Sequence, residues 1–281
     1  MKKHWQLPLL SWKHERRFRD MTTEVMDFER RFGGVRRLYG EAGLSRFSQA
    51  HVCVIGIGGV GSWAAEALAR NAVGNITLID LDNIAESNMN RQLHAVDGAF
   101  GKAKVTAMAE RIYSINPDCN ITQIEDFITP ENASVLLAAG YDIVLDAIDD
   151  AKAKVAIAAY CRANQLPLVM TGGAGGRLDP TRIQSADFAK ATGDRLLAKV
   201  RNQLRRDHGF PKGEKSKFGI PCIYSDEPVQ KPQPINSQPE NCEVDNSITG
   251  LNCAGYGSSV CVTAPFGMAA AALVLNLLQK S

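Results

Sequence analysis

A glycine-rich turn between an apolar run and a helical pattern constrains the fold more than any other feature of this sequence. The run "HVCVIGI" is continuously apolar, which is typical of a strand buried on both faces of a sheet. The helical pattern "VGSWAAEALARNAV" follows the glycines, and a second apolar run, "NITLIDLD", comes next. This order predicts a βαβ unit of a parallel sheet, with the glycine turn at the N-terminus of its helix.

Alternating strand and helix patterns continue beyond this unit. Further strands are predicted at "NITQIEDF", "YDIVLDAI" and "PLVMTGG", and helical segments such as "KAKVTAMAERIYSIN" and "KAKVAIAAYCRANQ" separate them. We therefore predict an α/β fold, a Rossmann-like doubly wound and mostly parallel sheet with helices on both faces.

Composition changes divide the rest of the chain. Residues 1–30 are predicted to be a flexible basic tail, since Gln6 and Pro8 interrupt a short apolar run that cannot form the core of a signal peptide. Residues 31–281 are predicted to form a single domain. Within it, the proline- and lysine-rich segment 182–250 is expected to be a mobile crossover above the active face.

The segment 258–278 contains no charged residue over 21 positions, which is long enough to span a bilayer. Pro265, Gly267, Asn276 and many alanines make it only mildly apolar, and no basic cluster flanks it. We predict an apolar C-terminal helix that is buried or interfacial, with association with a membrane as the alternative.

Cysteine usage indicates a reducing compartment. The seven cysteines stand singly, without a Cys-x-x-Cys pair, which argues against a thiolate zinc site. No secretory signal is recognised at the start of the sequence, so free thiols in the cytoplasm are expected. The formal net charge of +2 is too small to indicate a polyanionic partner by itself.

The glycine turn has the pattern G-x-G-x-x-G, and Asp80 ends the next strand 19 residues beyond Gly61. Such a turn lets the backbone approach a phosphate at the helix N-terminus, and the carboxylate can take the ribose hydroxyls. A turn without a ligand is the alternative. The nucleotide-binding residues predicted from this pattern are Gly56, Gly58, Gly59, Gly61, Asp80 and Asp82.

Polar and basic residues follow the ribose carboxylate in "LDNIAESNMNRQLHAVDGAFGKAKV". Backbone amides are enough for the two phosphates of a dinucleotide, whereas added cations suit a triphosphate whose charge must be neutralised. Taken singly, each charge could instead be a solvated helix residue. The group predicts ATP as the cofactor, held by Asn88, Arg91, Gln92 and Lys104, with Lys102 nearby.

Three carboxylates follow a later strand in "DAIDD". Carboxylates beside a triphosphate normally need a hard cation between them, so we assign Asp149 to Mg²⁺, with Asp146 as its helper. The alternative is that Asp149 or Asp150 caps the N-terminus of the following helix.

The motifs G-I-G-G-V-G, D-L-D, S-N-M-N-R-Q, G-K-A-K-V and D-A-I-D together resemble the ubiquitin-activating-like adenylating enzymes, over nearly all of residues 31–180. Three further motifs, "RRFGGVRRLYGEAGL", "TGGAGGRLDPT" and "LNCAGYGSS", are similar to the branch that cyclises threonylcarbamoyladenosine beside the anticodon of tRNA. The resemblance implies that 31–281 is one adenylating domain, which uses ATP and takes tRNA carrying that nucleoside as its substrate.

The resemblance also implies roles for single residues. Gly58 and its neighbours would face the phosphates and Asp80 the ribose; the catalytic residues would be Arg91, Lys104, Asp149 and Arg37. In related enzymes an arginine from the N-terminal segment of the partner subunit reaches the ATP, which implies a homodimer. Arg37 is the best match, although the adjacent Arg36 is an alternative. Asp150 and Lys154 depart from the asparagine and arginine that are common at these positions.

A local basic stretch runs from residue 199 to residue 217, opposed only by Asp207 and Glu214. Polyanion backbones are held by such clusters, so a tRNA-binding surface is predicted, with a solvated helix face as the alternative. Its predicted tRNA-binding residues are Lys199, Arg201, Arg205 and Arg206.

The implied chemistry is conversion of a carboxylate into an acyl adenylate, followed by attack from an oxygen of the same molecule. No enzymic nucleophile is then needed, so Cys253 is expected to be a small buried thiol. Three rival functions remain: adenylation of the C-terminus of a sulfur-carrier or ubiquitin-like protein, a nucleotide-binding adaptor with a sulfur-transfer protein as partner, and a dehydrogenase. The absence of the zinc-binding cysteine pairs of the sulfur-carrier activators disfavours the first.

Overall fold

The structure, a computed structural model, describes residues 26–213, 215–230 and 256–280. Within these residues the chain forms seven strands and seven α-helices. The strands are β1 His51–Ile55, β2 Asn75–Ile79, β3 Asn120–Ile124, β4 Ile143–Asp146, β5 Leu168–Thr171, β6 Ile183–Asp187 and β7 Pro221–Ser225. The helices are α1 Phe28–Gln49, α2 Gly61–Arg70, α3 Lys104–Ile115, α4 Ala133–Leu136, α5 Ala151–Ala163, α6 Arg195–Asp207 and α7 Val260–Leu278.

The strands form one sheet in the order β3-β2-β1-β4-β5-β7-β6, in which only the β6–β7 pair is antiparallel. The chain leaves β1 in one direction through β2 and β3 and then returns to β4 on the other side of β1. The carboxyl ends of β1 and β4 therefore form a topological switch point, where ligands bind in folds of this kind. The predicted Rossmann-like, doubly wound and mostly parallel sheet is confirmed.

Both faces of the sheet are covered by helices. Alternate β1 residues enter different cores: Val52 and Val54 pack with α1, α2, α3 and α7, whereas Cys53 and Ile55 pack with α4, α5 and α6. A strand buried on both faces must be apolar at successive positions, which explains the continuous run in the sequence.

The predicted apolar C-terminal helix is present as α7. Its buried side, including Phe266, Ala270 and Val274, packs against the core that it shares with α2. The exposed positions, among them Met268 and Ala272, carry no charge. Helix α7 is long and apolar enough to cross a membrane. A core helix of a soluble protein meets the same criteria of length and composition.

Two predicted segments differ from the structure. The expectation of a mobile crossover at 182–250 was wrong for its described part, which folds into β6, α6 and β7; residues 231–250 lie outside the described residues. The basic residues of α6 concealed an apolar stripe at helical spacing, and all four of its members are buried: Leu196, Leu197, Val200 and Leu204.

The N-terminal boundary also shifts. Helix α1 begins at Phe28, and the carboxylate of Asp27 caps it by accepting a hydrogen bond from the Arg30 amide at 3.0 Å. The predicted flexible tail therefore ends before residue 30. Residues 1–25, and Cys253 near the other end of the chain, lie outside the described residues.

Candidate functional site

The glycine turn joins β1 to α2 at the switch point. Gly56 has a φ of +84°, and its amide donates to the Ile79 carbonyl at 2.9 Å. A Cβ on Gly61 would overlap the backbone oxygen of Gly56, so these two positions require glycine. A Cβ on Gly58 would meet nothing closer than Gln92 Nε2 at 4.0 Å, which leaves that side of the turn open to a ligand.

No side chain caps the N-terminus of α2 beside this turn. Of its first amides, those of Ser62 and Ala64 donate to the carbonyls of Gly58 and Val60 at 3.1 Å. The positive end of the helix dipole favours an anion at this turn. The turn and the helix end together have the properties of a phosphate site.

The carboxylate of Asp80 stabilises the glycine turn and the segment after β2 by accepting hydrogen bonds. Its Oδ2 accepts from the Ile57 amide at 2.6 Å and its Oδ1 from the Asp82 amide at 2.9 Å. The side chain is buried, and this burial raises the pKa of the carboxyl group. Asp80 thus holds the glycine turn in place, and Asp82, whose side chain is 52% exposed, is the more accessible carboxylate for a ribose.

Lys104 lies at the first position of α3 and is buried. Its Nζ is 2.6 Å from Asp82 Oδ2 and 3.9 Å from Asp80 Oδ1. The ammonium group therefore reaches both carboxylates that end β2. A phosphate entering at the turn would compete with Asp82 for this lysine.

Arg91 lies against the glycine turn. A Cβ on Gly59 would come within 3.1 Å of Arg91 Cγ, so glycine allows the side-chain stem to approach. The guanidinium donates to the Ser87 carbonyl at 2.8 Å and to Asn90 Oδ1 at 3.1 Å. Its Nε is buried and has no hydrogen-bond partner among the described residues, which leaves it available to a phosphate oxygen.

Asn88 and Gln92 are buried beside this arginine. Asn88 Oδ1 accepts from the Ala85 amide at 3.1 Å and so closes the turn that precedes Arg91. Gln92 Nε2 lies under Gly58, and its Oε1 has no partner in the described part of the chain. The predicted nucleotide-binding residues thus meet around one turn, although Asn88 is used structurally.

The three carboxylates after β4 have different surroundings. Asp146 is completely buried, with Lys154 Nζ 3.0 Å from its Oδ1, and burial raises the pKa of its carboxyl group. The expectation that Asp146 helps to bind Mg²⁺ was therefore wrong. Asp150 caps α5 by accepting from the Ala153 amide at 2.7 Å. Asp149 follows β4 at the carboxyl edge of the sheet, and its side chain is partly exposed.

The described residues contain no group of three or more metal-ligating side chains. Mg²⁺ is commonly held by one or two carboxylates together with the phosphates of a nucleotide, so a single carboxylate at this position suits it. Lys154, which departs from the family pattern, forms the buried ion pair with Asp146. Its role is therefore to support the fold at the end of β4.

The two candidate arginines of α1 are in different situations. Arg36 forms ion pairs with Glu29 and, at 3.1 Å, with Glu41. Arg37 is exposed, and the neighbouring Leu38 is 75% exposed. Of the two arginines, Arg37 is the more accessible to solvent.

The predicted tRNA-binding residues also separate into two groups. Arg201 donates to the Ala191 carbonyl at 2.5 Å, and Arg205 holds the following loop through the Pro211 carbonyl at 3.1 Å. Lys199 is exposed, and Arg206 is exposed beside Asp207. Arg201 and Arg205 thus have structural roles, although both line an open cavity of about 470 Å³.

The basic helix points away from the nucleotide site. Its N-cap Asp194 accepts from the Gly173 amide at the carboxyl end of β5, at 2.9 Å. Arg205 lies ten residues beyond the first residue of α6, roughly 15 Å along the helix. The expectation that the whole basic stretch lies beside the active face was wrong for this end.

Two buried groups near the site were not anticipated. His94, next to Lys104, has no hydrogen-bond partner for either ring nitrogen within the described residues, and burial lowers its pKa to about 4. Arg177 is 2% exposed and joins the loops at the carboxyl ends of β5 and β7. The only signal for Arg177 was its place in "TGGAGGRLDPT", next to four glycines.

Comparison with known proteins agrees with this geometry. The ThiF family model matches residues 32–280. The tRNA threonylcarbamoyladenosine dehydratase of Escherichia coli is 49% identical over 91% of this chain and 96% of its own length, and that of Haemophilus influenzae is 48% identical over 91% and 96%. A crystal structure of the Escherichia coli enzyme in complex with ATP superposes with a TM-score of 0.80 at 46% identity, over 92% of this chain and 98% of that one. The chain therefore belongs to the ThiF family, in the group of the tRNA threonylcarbamoyladenosine dehydratases.

Proposed function

We propose that this protein is an ATP-dependent adenylating enzyme that dehydrates threonylcarbamoyladenosine beside the anticodon of tRNA. The observation that carries the proposal is that three charged residues lie at the carboxyl edge of the sheet: Arg91 against the glycine turn, Lys104 beside the carboxylates that follow β2, and Asp149 after β4. Two cations and a carboxylate at a topological switch point suit a nucleotide triphosphate. Relatives at 49% and 48% identity are tRNA threonylcarbamoyladenosine dehydratases, which supports the choice of substrate.

The reaction requires activation of a carboxylate, because an oxide ion is too poor a leaving group. The substrate carboxylate attacks the α-phosphate of ATP, pyrophosphate leaves, and an acyl adenylate forms. The ureido oxygen of the same nucleoside then attacks the acyl carbon, AMP leaves and the ring closes. Because this attack is intramolecular, the protein contributes positioning and charge neutralisation, not a nucleophile.

The residues of the chain divide this work. The N-terminus of α2 and the open side at Gly58 receive phosphate oxygens, while Arg91 and Lys104 neutralise the charge that moves onto pyrophosphate. Asp82 is placed to accept from the ribose hydroxyls. Two further residues act indirectly: Asp80 holds the glycine turn, and Asn90 holds the guanidinium of Arg91.

Mg²⁺ is part of the proposal, with Asp149 as its protein ligand. The metal would neutralise phosphate oxygens when it is bound. The structural support is that Asp149 follows β4 at the carboxyl edge of the sheet, where the triphosphate would lie, and that its side chain is partly exposed.

We further propose a homodimer in which Arg37 of one protomer completes the site of the other. Arg37 and Leu38 are exposed on α1, and the exposed side of α7 is mostly apolar and carries no charge. Such surfaces favour contact with a second chain. A sulfur-transfer protein as an additional partner stays a prediction from the sequence.

For the tRNA we propose contact through the exposed charges of α6, with the nucleoside at the carboxyl edge of the sheet. The N-terminus of α6 begins at this edge, so phosphates flanking the nucleoside can follow the helix through Lys199 and Arg206. A large substrate suits a basic helix that runs away from the site.

The deciding experiment is mass spectrometry of nucleosides from tRNA carrying threonylcarbamoyladenosine, after incubation with the protein and Mg-ATP. We expect the nucleoside to lose the mass of one water, with AMP and pyrophosphate as products. An unchanged nucleoside alongside normal ATP binding would contradict the proposal and favour activation of a carrier protein.

A further inference from the structure

The loop after β5 is organised by one buried arginine. Arg177 donates through Nε to the Gly173 carbonyl at 2.8 Å and through Nη1 to the carbonyls of Ser225 and Glu227 at 2.5 and 2.7 Å. Its Nη2 lies 3.1 Å from Asp194 Oδ2. A single guanidinium therefore joins the loop after β5, the segment after β7 and the N-terminus of α6.

Two carboxylates extend this arrangement. Asp194 caps α6 through the Leu197 amide at 2.9 Å and also accepts from the Gly173 amide. The buried carboxylate of Glu227 accepts from the amides of Leu178 and Asp179 at about 3.0 Å. The backbone on both sides of Arg177 is thus held by charged acceptors, which make stronger hydrogen bonds than neutral ones.

The side chain that this backbone presents to solvent is apolar. Leu178 is 69% exposed, although its amide is held by Glu227. An exposed large apolar residue on a backbone fixed by buried charged groups has a defined position. This combination suits contact with a flat or apolar group of a ligand.

Hydrogen bonds connect the same loop to the nucleotide side of the sheet. The amide of Gly176 donates to the Gly257 carbonyl at 2.7 Å. The carbonyl of the next residue, Ser258, accepts from Asn90 Nδ2 at 2.7 Å, and Asn90 Oδ1 accepts from Arg91. The loop that Arg177 holds is therefore attached, through a chain of three hydrogen bonds, to an arginine of the proposed ATP site.

We propose that Arg177 is a positioning residue that fixes residues 172–178 as the wall of the active edge facing the tRNA nucleoside, with Leu178 contacting the substrate. The inference rests on the proposed function. The loop follows β5, the strand next to β4, and so borders the site where the nucleotide is bound without being part of it. Its loss should affect the tRNA and leave ATP binding in place, because Arg91 keeps its own hydrogen bond to the Ser87 carbonyl.

The test compares Arg177→Met with Arg182→Met by steady-state kinetics and ATP titration. Methionine keeps much of the buried volume but removes every hydrogen bond. Arg182 is a matched control in the following turn, since its guanidinium lies at the surface beside Asp226. We expect Arg177→Met to raise KM for the modified tRNA about tenfold or more while the Kd for ATP stays within about twofold. Leu178→Ala should raise the same KM, and Arg182→Met should change neither constant.

Equal changes in both constants, or an unchanged KM for tRNA, would overturn the inference. If Arg177→Met does not fold, Glu227→Gln decides, because it keeps Arg177 and weakens only the bonds to the amides of Leu178 and Asp179. A selective rise in the KM for tRNA then supports the role, and wild-type constants refute it. Absence of dehydration by the unmodified protein would instead refute the proposed function.

Discussion

Lys154 Nζ lies 3.0 Å from Asp146 Oδ1, and neither side chain is exposed to solvent. The pair joins the end of β4 to the first turns of α5, and the Ile148 amide donates to the same carboxylate at 3.1 Å. Asp146 is therefore committed to this lysine, whereas Asp149, three residues later, is partly exposed at the edge of the sheet. The buried pair thereby shapes the loop that carries Asp149.

Replacing Asp149 and Asp150 separately should distinguish catalysis from helix capping. We expect Asp149→Ala to abolish AMP and pyrophosphate release while Asp150 still caps α5. Asp150→Ala should cost about 1 kcal/mol in the free energy of unfolding and leave most of the activity. Urea unfolding and a pyrophosphate assay would check both, and retained turnover in Asp149→Ala would exclude its role at the metal.

Two alanine substitutions in the glycine turn should differ in what they lower, one the stability of the fold and the other the affinity for ATP. Gly61→Ala places a Cβ against the fixed backbone oxygen of Gly56 and should destabilise the fold by about 1–3 kcal/mol. Gly58→Ala enters open space and should leave the melting temperature nearly unchanged, while its methyl group lowers ATP affinity about tenfold by occupying the phosphate side. Calorimetric melting and ATP titration measure the two effects; normal ATP binding by Gly58→Ala would argue against a phosphate at this position.

Mixed dimers should show whether Arg37 acts across the interface. Arg37→Ala and Asp149→Ala are each expected to be inactive, but a mixed dimer retains one site with Asp149 and the partner's arginine. In an equimolar mixture, random reassortment makes about half of the dimers mixed, and each of these has one complete site out of two. About a quarter of wild-type activity should therefore return. A mixture that stays inactive would place Arg37 in its own site or outside catalysis. Arg36→Ala, whose guanidinium pairs with Glu29 and Glu41, should keep its activity.

Charge reversal on α6 should weaken tRNA binding selectively. Lys199→Glu with Arg206→Glu removes exposed charges and leaves in place Arg205, which holds the loop at Pro211 and Ser216. We expect weaker tRNA binding and a shallower dependence of affinity on salt, by roughly one unit of slope per lost phosphate contact. Filter binding across a salt series measures this, with Lys280→Glu on the opposite face as control; an unchanged slope would place the tRNA elsewhere.

Protonation of His94 should destabilise the fold in acid. Burial, followed by repulsion from Lys104, lowers its pKa from 6.5 to about 4. The folded state therefore binds a proton less readily than the unfolded state, so stability is fully present above pH 6.5 and is lost as the pH falls towards 4. The loss should approach about 3 kcal/mol across this window. Urea unfolding at several pH values measures this effect: in acid, the free energy of unfolding of His94→Gln should fall less steeply than that of the unmodified protein. The same pH dependence in both proteins would contradict the prediction.

Local patterns were sufficient for the elements that depend on near neighbours. The buried strand β1, the turn between Gly56 and Gly61 and the alternation towards β5 follow from apolar runs and glycine positions. Helix α6 was missed because its arginines and lysines outnumber the four leucine and valine residues that pack inward. A residue count does not reveal such a stripe, whereas helical spacing does.

The α/β class, the nucleotide turn and the family follow from short, ordered motifs whose geometry is local. That Asp146 is completely buried, and that Arg36 is paired whereas Arg37 is exposed, became known only from the folded chain. The contacts of Arg177 with Ser225, Glu227 and Asp194 likewise form only in the folded chain. The physical reason is that burial and ion pairing depend on groups far apart along the chain, and these meet only when the sheet has formed.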